Sequence, residues 1–161
     1  MPALLRTWAP VAKTPVIRRK LAYDEHLSAI SAISITGELY LAVQDHSYKG
    51  PDVIRFLEGL LQEIPGKLLL IWDGAPVHRS RAMKEWLSQG AAQRIQLEQL
   101  PGYAPELNPD EGVWRYLKRV ELRNLVCVGL EQLRRELWAA VGRLLSKPQV
   151  LRSCIREVGY V

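Results

Sequence analysis

Cysteine is scarce in this 161-residue chain, and the two present, Cys127 and Cys154, form no CxxC pair or Cys/His cluster. That excludes a thiolate metal site of the usual spacing, and both read as core thiols of a cytosolic protein rather than a disulfide. No apolar run exceeds five residues, as in Leu68 to Trp72, so nothing is long enough to span a bilayer. Met1-Pro2-Ala3-Leu4-Leu5 meets Arg6 at once, which leaves no hydrophobic region of a signal peptide. Low-complexity tracts and internal repeats are also missing. What remains is an ordinary globular mixture, 48% apolar and 24% charged, and enough chain for one domain over residues 1–161.

Charge is distributed unevenly. The net is +5, but from Val113 onward ten Lys/Arg face four Asp/Glu. A positive C-terminal third suits contact with a polyanion, of which nucleic acid is the commonest, and equally suits a solvated helical surface.

Hydrophobic period gives the element order. Residues 1 to 20 are irregular and basic. Leu27 to Ile35 and Glu38 to Val43 read as strands joined by Thr36-Gly37, a hairpin. Gly50-Pro51 opens a helix whose Val53, Ile54, Leu57, Leu60 and Leu61 share a face, and Pro65-Gly66 ends it. Lys67 to Trp72 lacks polar alternation, as expected of a strand buried on both faces. A polar helix over Ser80 to Ser88 follows, then an alternating strand over Arg94 to Leu100 and a proline-punctuated loop to Pro109. Helices start near Asp110, span about Leu130 to Leu145, and close the chain over Gln149 to Val158. This is an α/β order, a mixed sheet covered by helices.

Two acids occupy positions that suit a metal site. Asp73 ends a strand, where ligands gather in α/β sheets. Glu111 lies in the first turn of a helix after the rigid loop 103–109. Phosphoryl transfer with divalent cations needs hard oxygen ligands converging from separate elements, and this pair can supply two. Each alone has a plainer use, Asp73 as a helix cap and Glu111 as a complement to the helix dipole.

Together with their context they resemble a known family. LLLIWDGAPVHRS (68–80) and LPGYAPELNPDEGVWRYLK (100–118) are similar to the second and third acidic motifs of the mariner superfamily of DDE transposases, nearest its bacterial insertion-sequence branch. RTWAP (6–10), TPV (14–16) and YDEHLSAISAI (23–33) match that branch too. The resemblance implies a ribonuclease H-like mixed sheet flanked by helices, Mg²⁺ or Mn²⁺, and DNA as substrate. It assigns Asp73 as the second catalytic and metal-binding acid and Glu111 as the third, with 37 residues between them. Asp110 stands at a position the family fills variably and is left out of the triad.

His78 matches a histidine common in the motif, where it approaches the metal or a DNA phosphate, or else packs and caps. Trp114, with Val113, Leu117 and Val120, makes an apolar face that packs the Glu111 helix. Arg115, Lys118, Arg119 and Arg123 fall on the other side, where they can meet DNA phosphates.

The family pattern also has a first Asp, on a central strand upstream of RTWAP, and a helix-turn-helix region. Neither has a counterpart in this sequence, and Asp24 and Asp45 are poor substitutes for the acid. The expectation is therefore a catalytic-domain part lacking the first central strand and inactive alone. An N-terminal product of the same element would complete it, and the family works as a dimer. The alternative is a non-catalytic DNA-binding remnant.

Overall fold

The computed structural model describes residues 3, 8–13, 16, 26–102 and 104–160. Arg6 and Thr7 of the RTWAP element, Thr14 and Pro15 of the TPV element, Asp24 and the opening of the hairpin motif lie outside these residues.

Strand β1 (Ser28–Ile33) pairs antiparallel with β2 (Leu39–Gln44), Ser31 opposite Leu41. Gly37, at φ +93, supplies the left-handed turn conformation that glycine adopts without strain. Helix α1 (Gly50–Glu63) carries Pro51 in its first turn, where a missing N–H costs nothing. Its C-terminal carbonyls are held by one guanidinium: Arg94 donates to Leu61, Ile64 and Gly66 at 2.9–3.1 Å. No sequence rule pointed to that cap, because Arg94 arrives from 28 to 33 residues away.

Strand β3 (Leu68–Trp72) lies parallel to β4 (Ile95–Gln99). Between them run a 3₁₀ turn (Pro76–Arg79) and α2 (Arg81–Ser88), whose N-cap Ser80 accepts from the Met83 N–H. A 3₁₀ turn (Pro105–Leu107) then leads to α3 (Pro109–Tyr116), which continues as a π-helical turn (Leu117–Glu121). Helices α4 (Leu130–Leu145) and α5 (Pro148–Glu157) complete the order.

The core has two parts, and the hairpin divides them by strand alternation. Ile30, Ala32 and Tyr40 face the part built from α1, α2 and the inner side of β3 and β4, around Leu57 and Met83. Ile33, Leu39, Leu41 and Val43 face the part built from α3, α4 and α5, around Leu117, Leu144 and Leu151. Both cysteines are buried and free, as their sequence setting implied.

Two expectations are corrected. The strand before Asp73 is not buried on both faces: Leu69 is 57% and Ile71 42% exposed, while Leu68, Leu70 and Trp72 pack inward. Continuous apolar sequence marked both faces alike, and only the helices' placement distinguished them. The expected single mixed sheet is likewise divided, among the described residues, into an antiparallel pair and a parallel pair with no hydrogen bonds between β1 and β3.

Val120 is corrected as well. An α-helical spacing puts it beneath Val113 and Leu117, yet it is 49% exposed. The π turn, closed by Leu122 N–H to Leu117 O at 2.8 Å, inserts an extra residue per turn and brings Glu121 inward instead. There Glu121, 5% exposed, accepts from Arg143 at 2.7 Å and Lys147 at 2.6 Å, joining the π turn to the end of α4. Burial alone would raise its carboxyl, but the bonds and charges of Lys147 and Arg143 outweigh that and hold it below its usual value. Ionised Glu121 therefore stabilises the fold above the unfolded glutamate value of about 4.3, and the contribution fades as pH falls through the lower folded value. Glu121→Gln should cost about 2 kcal/mol near neutrality, since both cations stay partly solvated. Urea melts at neutral and acidic pH should show the gap from the parent closing in acid; a gap independent of pH would deny the ion pair that role.

Candidate active site

Asp73 is placed by β3 and shaped by the turn that follows. Its Oδ1 accepts from the Ala75 N–H at 3.0 Å and from His78 Nε2 at 3.0 Å. Both bonds fall on one oxygen, which leaves Oδ2 for another partner. The carboxylate is 62% exposed. A Cβ at Gly74 next to it would sit 3.0 Å from the side-chain amide of exposed Gln99 at the end of β4, a contact that a small shift of that side chain relieves.

His78 is held rather than free. Its ring stacks on Trp72 with centroids 4.2 Å apart, and its side chain is only 15% exposed. Burial lowers its basicity, partly opposed by Asp73. With Nε2 donating to Asp73, Nδ1 is buried without a hydrogen-bond partner. The motif histidine thus meets the acid five residues before it, through a 3₁₀ turn that folds the chain back.

Glu111 is in the first turn of α3, exposed, as its sequence position implied. Asn108 caps this helix, accepting from the Asp110 N–H at 3.1 Å. Asp110, set aside in the sequence reading, has the more constrained position. The Ser31 hydroxyl of β1 lies 2.8 and 2.7 Å from its two oxygens, and the Trp114 indole N–H is 3.0 Å from Oδ2. Burial raises the Asp110 carboxyl, those hydrogen bonds oppose the rise, and the negative charges of Glu111 and Asp73 add to it. Three carboxyls from β3 and α3 thus share one electrostatic neighbourhood. The signal for this contact was in the sequence, an Asp and a Trp four apart on one helix face, but its partner Ser31 lies 79 positions away.

Among the described residues, no group of three His, Cys, Asp or Glu side chains is arranged to hold a cation together. Asp45, the described substitute for the first acid, instead pairs with His46 at 3.0 Å on the surface. Hard carboxylate oxygens on Asp73 and Glu111 still fit Mg²⁺ or Mn²⁺, because Mg²⁺ is commonly held by one or two carboxylates and keeps several waters.

The basic residues are all exposed on α3, the π turn and the residue range just beyond. Arg115 pairs with Glu157 at 2.6 Å, and Lys118 lies 5.8 Å from the centre of the Trp114 ring. Among the described residues Arg119 and Arg123 make neither kind of contact. Arg115 and Arg119 line an open groove of about 500 Å³ between α3 and α5, floored by Gly112 and Cys154.

No curated protein matches the chain. Two solved structures share its fold, the Mos1 mariner paired end complex with Mn (TM-score 0.72) and the Mos1 strand transfer complex (TM-score 0.70), each 14% identical. Both cover 98% of this chain, and the chain spans 48% and 47% of theirs, about half their length. The mixed α/β arrangement, with five α-helices and small sheets among the described residues, resembles the ribonuclease H-like one of that protein. Residues 2–142 match the family model described as DDE superfamily endonuclease, so the chain belongs to the DDE endonuclease superfamily.

Proposed function

We propose that this chain is the metal-binding part of a transposase that cuts and joins DNA strands, of the mariner type and nearest its bacterial insertion-sequence branch. Asp73 and Glu111 are its carboxylate ligands. The observation that carries the reading is the placement of the two acids, Asp73 at the end of β3 with Oδ2 uncommitted and Glu111 exposed in the first turn of α3. Bound Mg²⁺ or Mn²⁺ would activate the attacking oxygen and stabilise the leaving one. The chain's own contribution is orientation. His78 and the Ala75 N–H fix Asp73 through Oδ1, and the Asn108 cap fixes the turn that presents Glu111.

A third acid is proposed to come from an upstream segment, through a strand that fills the space between β1 and β3. Among the described residues β1–β2 and β3–β4 form two separate two-stranded sheets, which supports an incomplete sheet here. Dimerisation and a cytoplasmic location go with the same reading; no described helix is long and apolar enough to cross a membrane. A cleavage assay with Mn²⁺ on transposon-end DNA should show cutting by this chain mixed with its upstream product and none by the chain alone. Cutting in neither would favour a DNA-binding remnant, a reading that the lack of a three-acid cluster among the described residues also supports.

DNA contact is assigned to Arg115, Lys118, Arg119 and Arg123, with His78 serving Asp73 first. Affinity should be weak, indifferent to sequence and steeply salt-dependent, and Arg119→Ala should lower the salt slope by about one phosphate contact. Arg115→Ala should lower it less, because Glu157 already neutralises that guanidinium. Binding titrations at several salt concentrations measure both, and a flat response would remove the assignment.

A further inference from the structure

Asp110 raises a question that packing does not answer. It is a half-buried carboxyl whose contacts, the Ser31 hydroxyl and the Trp114 indole, are neutral donors, and the charges that act on it are those of two other acids. An uncharged residue would cost less to bury in that place. The contacts form a closed triangle, since the Trp114 N–H also reaches Ser31 Oγ at 2.8 Å. Two residues one turn apart on α3 thus grip one residue of β1.

We propose that Asp110, Ser31 and Trp114 form a positioning clamp that sets the rotation of α3 and so aims Glu111 at the cation shared with Asp73. The inference rests on the reading of Asp73 and Glu111 as metal ligands. The geometry is specific. Successive residues of an α-helix lie about 100° apart around its axis. Pinning 110 and 114 against the strand therefore turns 111 off the sheet and into solvent, where it is exposed. A helix roll of about 10–20° would carry the end of a glutamate side chain roughly 1–2 Å, beyond the tolerance of a coordinating group. Hydrophobic contacts of Val113 and Leu117 resist separation of α3 from the core but resist rolling only weakly, whereas bonds with fixed directions resist both. The N-cap at Asn108 holds the end of the helix and not its rotation. Asp110 is on this account a positioning residue, acting through Glu111.

The test compares the full chain with Asp110→Asn, Asp110→Ala and Ser31→Ala, using Mn²⁺ alone as the probe. Paramagnetic broadening of the Asp73 and Glu111 amide signals reads cation binding, and hydrogen exchange over residues 109–114 reads how firmly α3 is held. In Asp110→Ala and Ser31→Ala, about tenfold more Mn²⁺ should be needed, the scale of lost outer contacts to metal ligands. Exchange should quicken in the first turn of α3 while α4 and α5 keep their protection. Asp110→Asn still accepts from both donors and should stay near the parent in both readouts, a rescue that a general loss of stability would not show. Unchanged broadening and exchange in Asp110→Ala would overturn the clamp. So would an Asp110→Asn variant that loses Mn²⁺ as fully as the alanine with α3 still protected, because Asp110 would then be a ligand itself. No broadening at Asp73 or Glu111 in the parent chain would bring down the metal-site reading, and the clamp with it.

Discussion

Glu111→Ala is expected to reduce Mn²⁺-dependent strand cleavage by the completed catalytic domain about a thousandfold, with the fold intact. The size follows from what is removed, a group placed where charge develops in the transition state, whose loss typically costs two to three orders of magnitude. Stability should barely change, because Glu111 is exposed and makes no side-chain hydrogen bond or ion pair among the described residues, and substitutions at such places stay within about 0.5 kcal/mol. Asp73→Ala should cost a similar factor. The double variant should be no worse than either, since groups serving one cation act as a unit. Cleavage of transposon-end DNA by the chain with its upstream product measures the loss, and thermal melts run alongside separate it from unfolding. Activity surviving Glu111→Ala within tenfold would remove Glu111 from the ligand set and make Asp110 the acid to examine.

The largest stability effect is expected at Leu117. Its side chain is 0% exposed at the start of the π turn, within the core part shared by α3, α4 and α5. Truncation to alanine removes buried methyl groups and leaves a cavity that two crossing helices cannot close, a loss of about 3 kcal/mol. For a domain of this size that is roughly 6 to 12 °C in melting temperature. Leu117→Met, which keeps the volume, should cost less than about 1.5 kcal/mol. Val120→Ala is the internal control. An α-helical turn would bury Val120 with Leu117, whereas the π turn leaves it exposed, so its truncation should stay within about 0.5 kcal/mol. Urea unfolding of the three variants distinguishes the two windings, and equal losses at 117 and 120 would reject the π turn.

Local chemistry determined most of the elements. Pro51 and Pro65-Gly66 bracket α1, Ser80 caps α2, and the span of α4 follows from its apolar spacing, because propensity, caps and period act over a few residues and are written in order. The two acids were legible for the same reason: Asp73 follows an apolar strand, and Glu111 sits between a capping Asn108-Pro109 and an apolar helix face. Contacts between distant residues were not legible. Ser31 to Asp110, Arg94 to the end of α1, and Glu121 to Lys147 join positions 26 to 79 apart, and no periodicity announces which polar group will meet which. Burial was decided at the same level. Leu69 and Leu70 are identical neighbours in sequence, yet one is exposed and the other packed, because a strand alternates its faces and α1 and α2 cover only one of them. The sequence by itself determined on which elements the two candidate acids stand. Only the tertiary structure decided that Asp110 is bound to β1 and that Glu121 meets Arg143 and Lys147, since each depends on directional bonds between elements that meet only after folding.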